Sequence, residues 1–144
     1  MTEVSLGKTG ITVNKNGFGA LPIQRIPQDD AVKLVRRAFE RGINFFDTAR
    51  SYTDSEAKLG VALKGIREQV FIATKTPSVT AAGFWNDLET SLRLLQTDYI
   101  DIYQFHNPAF CLNRVTAAAC MKRCSRPGNR GRSVSSALLT IVWQ

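Results

Sequence analysis

A carboxylate, a phenol, an amine and the chain's single histidine each lie at or just past the end of a short apolar segment. Asp47 follows Asn44-Phe45-Phe46, Tyr52 comes shortly after it, Lys75 follows Phe71-Ile72-Ala73-Thr74, and His106 follows Tyr103-Gln104-Phe105. These groups have a joint chemistry. A phenol with an ordinary pKa of about 10 becomes a usable general acid when that value is brought toward the working pH. A nearby ammonium does this by favouring phenolate. A buried ammonium in turn needs a carboxylate. Asp47, Lys75 and Tyr52 therefore make a plausible acid set, and His106 can hydrogen-bond a carbonyl oxygen. Such roles suit reduction of a carbonyl by a hydride-carrying cofactor. Singly, each residue has a plainer reading: Asp47–Lys75 an ordinary buried pair, Tyr52 a rim residue, His106 a helix cap. The joint pattern is more specific than any of its members.

Delivering these groups to one place requires elements that end together. Leu6 to Val13 reads as a short hairpin segment with a Gly-bearing turn, and Asn14 to Leu21 as a strand. Asp29 is an expected N-cap for a helix over residues 30–40, with Val32, Val35 and Phe39 on one face and Gly42 closing it. Asp54 or Ser55 is expected to cap a second helix carrying Leu59 and Leu63, with Gly65 at its end. Thr80 is expected to cap a third, striped by Phe84, Leu88, Leu92 and Leu95. Strands beginning near residues 44, 69 and 98 are 25 and 29 residues apart. That is the length of one βα unit of a parallel barrel, in which strand C-termini share the catalytic face. The predicted fold is an α/β barrel of the (β/α)8 type in which only the first strands and helices are present, because 144 residues are too few for the roughly 250 of a complete one.

Composition narrows the class. No apolar run approaches the roughly 20 residues of a membrane span, and the N-terminal residues lack the charged and apolar regions of a signal peptide. The expectation is a cytoplasmic protein. The net charge of +7 is concentrated in the last segment, where Arg114, Lys122, Arg123, Arg126, Arg130 and Arg132 face no acid. All three cysteines, Cys111, Cys120 and Cys124, lie there too, without matching histidines, so no metal site is expected. A basic tail can indicate nucleic acid, but Trp143 is the sole aromatic residue after Phe110 and makes no stacking platform alone.

The stretches LGKTGITV, GFGALP, RGINFFDTARSYTDSE, FIATKT and LETSLRLLQTDYIDIYQFHNP resemble the aldo/keto reductase family, over about residues 4 to 110. The resemblance implies an NADP(H)-dependent oxidoreductase that reduces small aldehydes or ketones to alcohols. It implies Tyr52 as proton donor, Lys75 and Asp47 as the groups that tune it, and His106 as the group that orients the carbonyl. It also implies that Gly19, Ala20 and Leu21 line the nicotinamide side, with Asp47 reaching the nicotinamide ribose. The family's phosphate contacts come from later strands, for which this sequence offers no matching residue, so the chain as it stands is expected to be inactive. Two alternatives are a non-catalytic regulatory protein on the same barrel and a nucleic-acid binder acting through the tail. Substrate identity, cofactor preference between NADP and NAD, and oligomeric state are left open.

Residues 1–110 thus read as the N-terminal half of a barrel, and 111–144 as a basic, disordered tail. The genetic code offers an origin for the tail. Codons formed from the third base of one residue and the first two of the next give Glu across Met121–Lys122 and Ala across Trp143–Gln144. With permitted choices elsewhere, the shifted frame reads as a Gly-rich loop, an acidic helix, a turn and a strand ending Thr-Asn-His, like the family's continuation. Loss of one base near the codon for Asn113 would produce the observed sequence.

Overall fold

The computed structural model describes residues 2–7 and 9–107; the tail, its cysteines and its arginines lie outside them. Strands β1 (Glu3–Ser5) and β2 (Thr12–Asn14) form an antiparallel hairpin. Strands β3 (Phe18–Gly19), β4 (Phe45–Asp47), β5 (Phe71–Thr76) and β6 (Ile102–Phe105) then form a parallel sheet in chain order. Helices α1 (Gln28–Glu40), α2 (Ser55–Ala62) and α3 (Ala81–Leu94) fill the crossovers. This is the expected βα succession, and it puts one face of the sheet against the helices.

The register decides which side chains face where. Phe46, Ile72, Thr74 and Tyr103 share the helix-facing side and are buried. They pack with Ala31 and Val35 of α1, Leu59 and Ala62 of α2, and Phe84 and Leu88 of α3. Each fully buried large apolar side chain contributes about 1.5–3 kcal/mol of transfer free energy. The opposite face carries Gly19 opposite Asp47, Asp47 opposite Ala73, and, two residues along, Lys75 opposite Gln104. Side chains alternate with period two, so Gly19, Asp47 and Lys75 project from the same face. His106 continues the β6 row, its N–H donating to the Thr76 carbonyl at 2.8 Å.

Several boundaries differ from expectation. The first parallel strand is confined to Phe18–Gly19, because Asn14 belongs to the hairpin. Its backbone N–H donates to Asn44 Oδ1 at 2.8 Å and its amide to the Gly42 carbonyl at 3.1 Å, which docks the hairpin under the start of β4. Helix α1 starts earlier than expected, with Pro27 in the N-cap position, and Asp29 and Asp30 in its first turn. There the aspartates favour the positive end of the helix dipole without capping through a side chain. Strand β6 begins at Ile102 because Asp101 turns its carboxylate to the Ile72 N–H (2.8 Å) and to Arg67 (2.7 Å). Thr80 caps α3 as expected, its Oγ1 accepting from the Gly83 N–H at 3.1 Å. Gly42, at φ +87°, ends the first βα unit in a conformation that suits glycine.

At Gly60, α2 lies tightly against the end of α3. A Cβ there would lie 2.3 Å from the Leu94 carbonyl oxygen and 2.8 Å from the Leu95 carbonyl carbon, both backbone atoms. Gly60→Ala is therefore expected to separate α2 from α3 and cost about 1–3 kcal/mol, read as a lower urea midpoint. An unchanged midpoint would show that the contact is looser than described.

Candidate active site

Lys75 is the hub of the sheet's C-terminal edge. Its ammonium donates to both Asp47 carboxylate oxygens, at 2.6 and 2.7 Å, and to the Thr48 carbonyl at 2.8 Å. The pair is half-sheltered, with Lys75 18% and Asp47 36% exposed, so the attraction acts in a medium less screening than bulk water. The Tyr52 ring centroid lies 5.8 Å from Lys75 Nζ. The His106 ring stands edge-on to Tyr52, with centroids 5.5 Å apart and planes at 82°. Asp47, Tyr52, Lys75 and His106 are thus brought together as the sequence reading anticipates.

The expected direction of the tyrosine's shift does not hold. Burial, and then the Asp47 carboxylate, raise the Tyr52 pKa above its ordinary value. Burial is the larger cause, because it disfavours the charged phenolate, and the nearby Asp47 carboxylate adds to it in the same direction. Tyr52 therefore keeps its proton across the neutral range. Its hydroxyl makes no hydrogen bond among the described residues, which leaves it available to an incoming oxygen. His106 is shifted down, first by burial and then by Lys75, with Asp47 opposing. The ring is neutral at neutral pH.

A second layer holds these groups in place, and sequence reasoning did not anticipate it. The segment after β4 extends the ladder: Thr48 N–H donates to the Ala73 carbonyl and Arg50 N–H to the Lys75 carbonyl, both at 2.8 Å. Glu56 is 1% exposed. It is ion-paired with Arg50 and accepts a hydrogen bond from Thr74 Oγ1 at 2.7 Å. Removing one partner of a buried pair of this kind typically costs about 3–5 kcal/mol, so this contact fixes the loop that carries Tyr52. Lys58, 5% exposed, donates to the Ile23 carbonyl (3.0 Å), the Ile26 carbonyl (2.8 Å) and Asp54 (2.8 Å). Ser55 Oγ donates to the Ala20 carbonyl at 2.9 Å. Helix α2 thereby clamps the segment that follows β3. Directly after Tyr52, Thr53 takes φ +42°, a left-handed conformation costly for a β-branched residue. The one signal in the sequence for this layer was the presence of Glu56 and Lys58 among apolar positions of a short helix.

The residues expected on the nicotinamide side divide. Gly19 is exposed, and a Cβ there would meet nothing within 4 Å. Leu21 is 44% exposed. Both fit an open wall beside Asp47. Ala20 does not: it is fully buried, its N–H donates to the Asp47 carbonyl at 2.8 Å, and its role is to anchor the strand end. Among the described residues no cluster of His, Cys, Asp and Glu could hold a metal ion, and no helix is long and apolar enough to cross a membrane.

The sequence pattern of the aldo/keto reductase family matches residues 15–131. The chain belongs to the aldo/keto reductase family. It is 40% identical over 128 residues to the L-galactose dehydrogenase of Arabidopsis thaliana, a match covering 76% of this chain and 40% of that protein. It is 39% identical over 120 residues to the methylglyoxal reductase YeaE of Escherichia coli, covering 78% of this chain and 42% of that one. Among solved structures, the thermostable aldo-keto reductase Tm1743 in complex with epalrestat superposes with a TM-score of 0.76 at 28% identity, over 85% of this chain and 49% of that one. A Klebsiella pneumoniae aldo-keto reductase in complex with NADPH gives 0.70 at 29% identity, over 77% of this chain and 41% of that one. The chain spans about two fifths of the length of the curated relatives it matches. Its parallel strands and helices are a partial copy of the family's α/β barrel.

The lowered His106 pKa has a consequence for stability. The unfolded chain takes up a proton near the ordinary value of 6.5, whereas the folded chain does so only at lower pH. The unfolded state then binds more protons in that window, so stability falls as pH drops through it. His106→Gln is expected to flatten this part of the curve of unfolding free energy against pH. An identical slope in the variant would place the titration elsewhere.

Proposed function

We propose that this chain carries the proton-transfer wall of a nicotinamide-dependent carbonyl reductase, acting on small aldehydes or ketones. The observation that carries the reading is the grouping of a protonated Tyr52, a neutral His106 and the Lys75–Asp47 pair at one strand edge, beside the open backbone of Gly19. NADP(H), when bound, would supply hydride to the carbonyl carbon. Gly19, Leu21 and Asp47 would hold its nicotinamide end. Tyr52 would give its proton to the carbonyl oxygen as negative charge develops there. His106 would donate a hydrogen bond to the same oxygen, and Lys75 would stabilise the phenolate left behind. The printed names of relatives, such as methylglyoxal reductase, and the NADPH complex of a structural neighbour support the substrate class and the cofactor.

We further propose that the residues that would anchor the cofactor's phosphates lie outside the described residues, as the family resemblance implies. We propose that the 144-residue chain alone is inactive, and that a version with one base restored near the codon for Asn113 regains the anchors. The family match itself runs to residue 131, past the proposed change of frame. The test compares both versions. The chain is expected to show no specific NADPH binding by nicotinamide fluorescence, and the restored protein to bind NADPH and reduce methylglyoxal. Micromolar binding by the chain itself would overturn the inactivity reading, and a stop codon directly downstream would overturn the frame reading.

In the active form, Tyr52→Phe is expected to lower kcat by about 10²–10⁴-fold, the usual worth of general acid catalysis, with cofactor affinity nearly unchanged. Full carbonyl reductase activity in that variant would refute the assignment of the acid.

A further inference from the structure

Ser51 stands next to Tyr52 in the chain and points its hydroxyl at a different member of the site. Its Oγ lies 2.7 Å from His106 Nδ1. Ser51 is exposed, and among the described residues this ring nitrogen is its hydroxyl's one partner. A neutral imidazole carries one proton, on either nitrogen, and the hydrogen bond made by one nitrogen determines what the other can do. If Nδ1 held the proton, Nε2 would be a bare acceptor and could give nothing to a carbonyl oxygen. If the serine donates, Nδ1 is the acceptor and Nε2–H is the free donor. A hydroxyl can donate or accept at this 2.7 Å contact, and only the second arrangement leaves a donor on Nε2 for a carbonyl oxygen, the role proposed for His106.

We infer that Ser51 is a positioning residue, whose hydroxyl donates to His106 Nδ1 and holds the ring as the Nε2–H tautomer. This rests on the reading of His106 as the group that orients the carbonyl, and it deepens that reading by naming what sets the donor. The groups around the ring agree with it. The Lys75 ammonium faces the site from β5, the Asp47 carboxylate from β4 and the Tyr52 ring from the loop between β4 and α2. The Lys75 ammonium disfavours a second proton on the ring, while Asp47 only partly offsets it. The His106 N–H is tied to Thr76 at the end of β5, so the backbone places the ring and Ser51 then selects its proton position. One short segment, Ser51-Tyr52, thus sets both the proton donor and the hydrogen-bond donor of the site.

The chain has a single histidine, so its ring nitrogens can be read by 15N NMR of histidine-labelled protein with no assignment step, in the absence of any cofactor. The expected spectrum above the ring's pKa shows a protonated Nε2 and an unprotonated Nδ1. Ser51→Ala is expected to lose that single-tautomer signature and give averaged nitrogen shifts, with an unfolding midpoint unchanged because Ser51 is exposed. Ser51→Thr, which keeps the hydroxyl, is expected to retain the signature. A protonated Nδ1 in the wild-type chain, averaged shifts in the wild-type chain, or an unchanged pattern in Ser51→Ala would each overturn the proposal. The tautomer is measured without turnover. A chain that shows it yet yields no reductase when the frame is restored would sink the functional reading alone, and an active enzyme with averaged nitrogens would sink this one alone.

Discussion

The ion pair between Lys75 and Asp47 is the constraint on which the site depends. It joins the ends of two adjacent parallel strands, and its third hydrogen bond, to the Thr48 carbonyl, fixes where the chain leaves β4. That departure point sets the path to Tyr52. The pair also sets the charge balance. An unaccompanied ammonium would pull the phenol toward phenolate, whereas a neutralised one leaves it protonated. Burial first, and then Asp47, raise Tyr52, while burial first, and then Lys75, lower His106. A protonated phenol beside a neutral imidazole is the resting state that the proposed carbonyl reduction requires.

Around this pair the fold separates rigidity from access. The helix-facing side of the sheet is largely apolar, built from Phe46, Ile72 and Tyr103 against α1 to α3. Buried charged groups in this layer tie loops: Glu56 to Arg50 and Thr74, and Lys58 to the Ile23 and Ile26 carbonyls. The other side stays open at Gly19 and Asp47. Asp47 and Lys75 stand on strands and Tyr52 on a braced loop, and packed elements hold position better than free loops.

Much of this was legible in the sequence. The types and order of Asp47, Tyr52, Lys75 and His106, the spacing of the βα units, the α3 stripe and the Thr80 cap depend on local pattern, and the structure contains them. What was not legible depends on partner choice across the fold. Asn14 reads as a strand residue until Asn44 and Gly42 are beside it. Asp29 reads as a cap, yet Pro27 takes the N-cap position. Ala20 reads as a pocket wall until Asp47 and Ser55 bind its backbone. The sign of the Tyr52 shift required knowing how far the fold buries the phenol and that the Asp47 carboxylate lies near it. Ser51 gave no signal at all, since a serine beside a tyrosine acquires meaning only when β6 delivers His106.

The electrostatic unity of the site can be measured at the one histidine. Its titration midpoint, followed by NMR in Lys75→Met and in Asp47→Asn, reads the two charges separately. The expected result is a rise in the His106 midpoint when the ammonium is removed and a fall when the carboxylate is neutralised, because the two act on the ring in opposite senses. A midpoint that moves in neither variant would contradict the account, since the histidine would then lie outside the field of the pair that is held to organise the site.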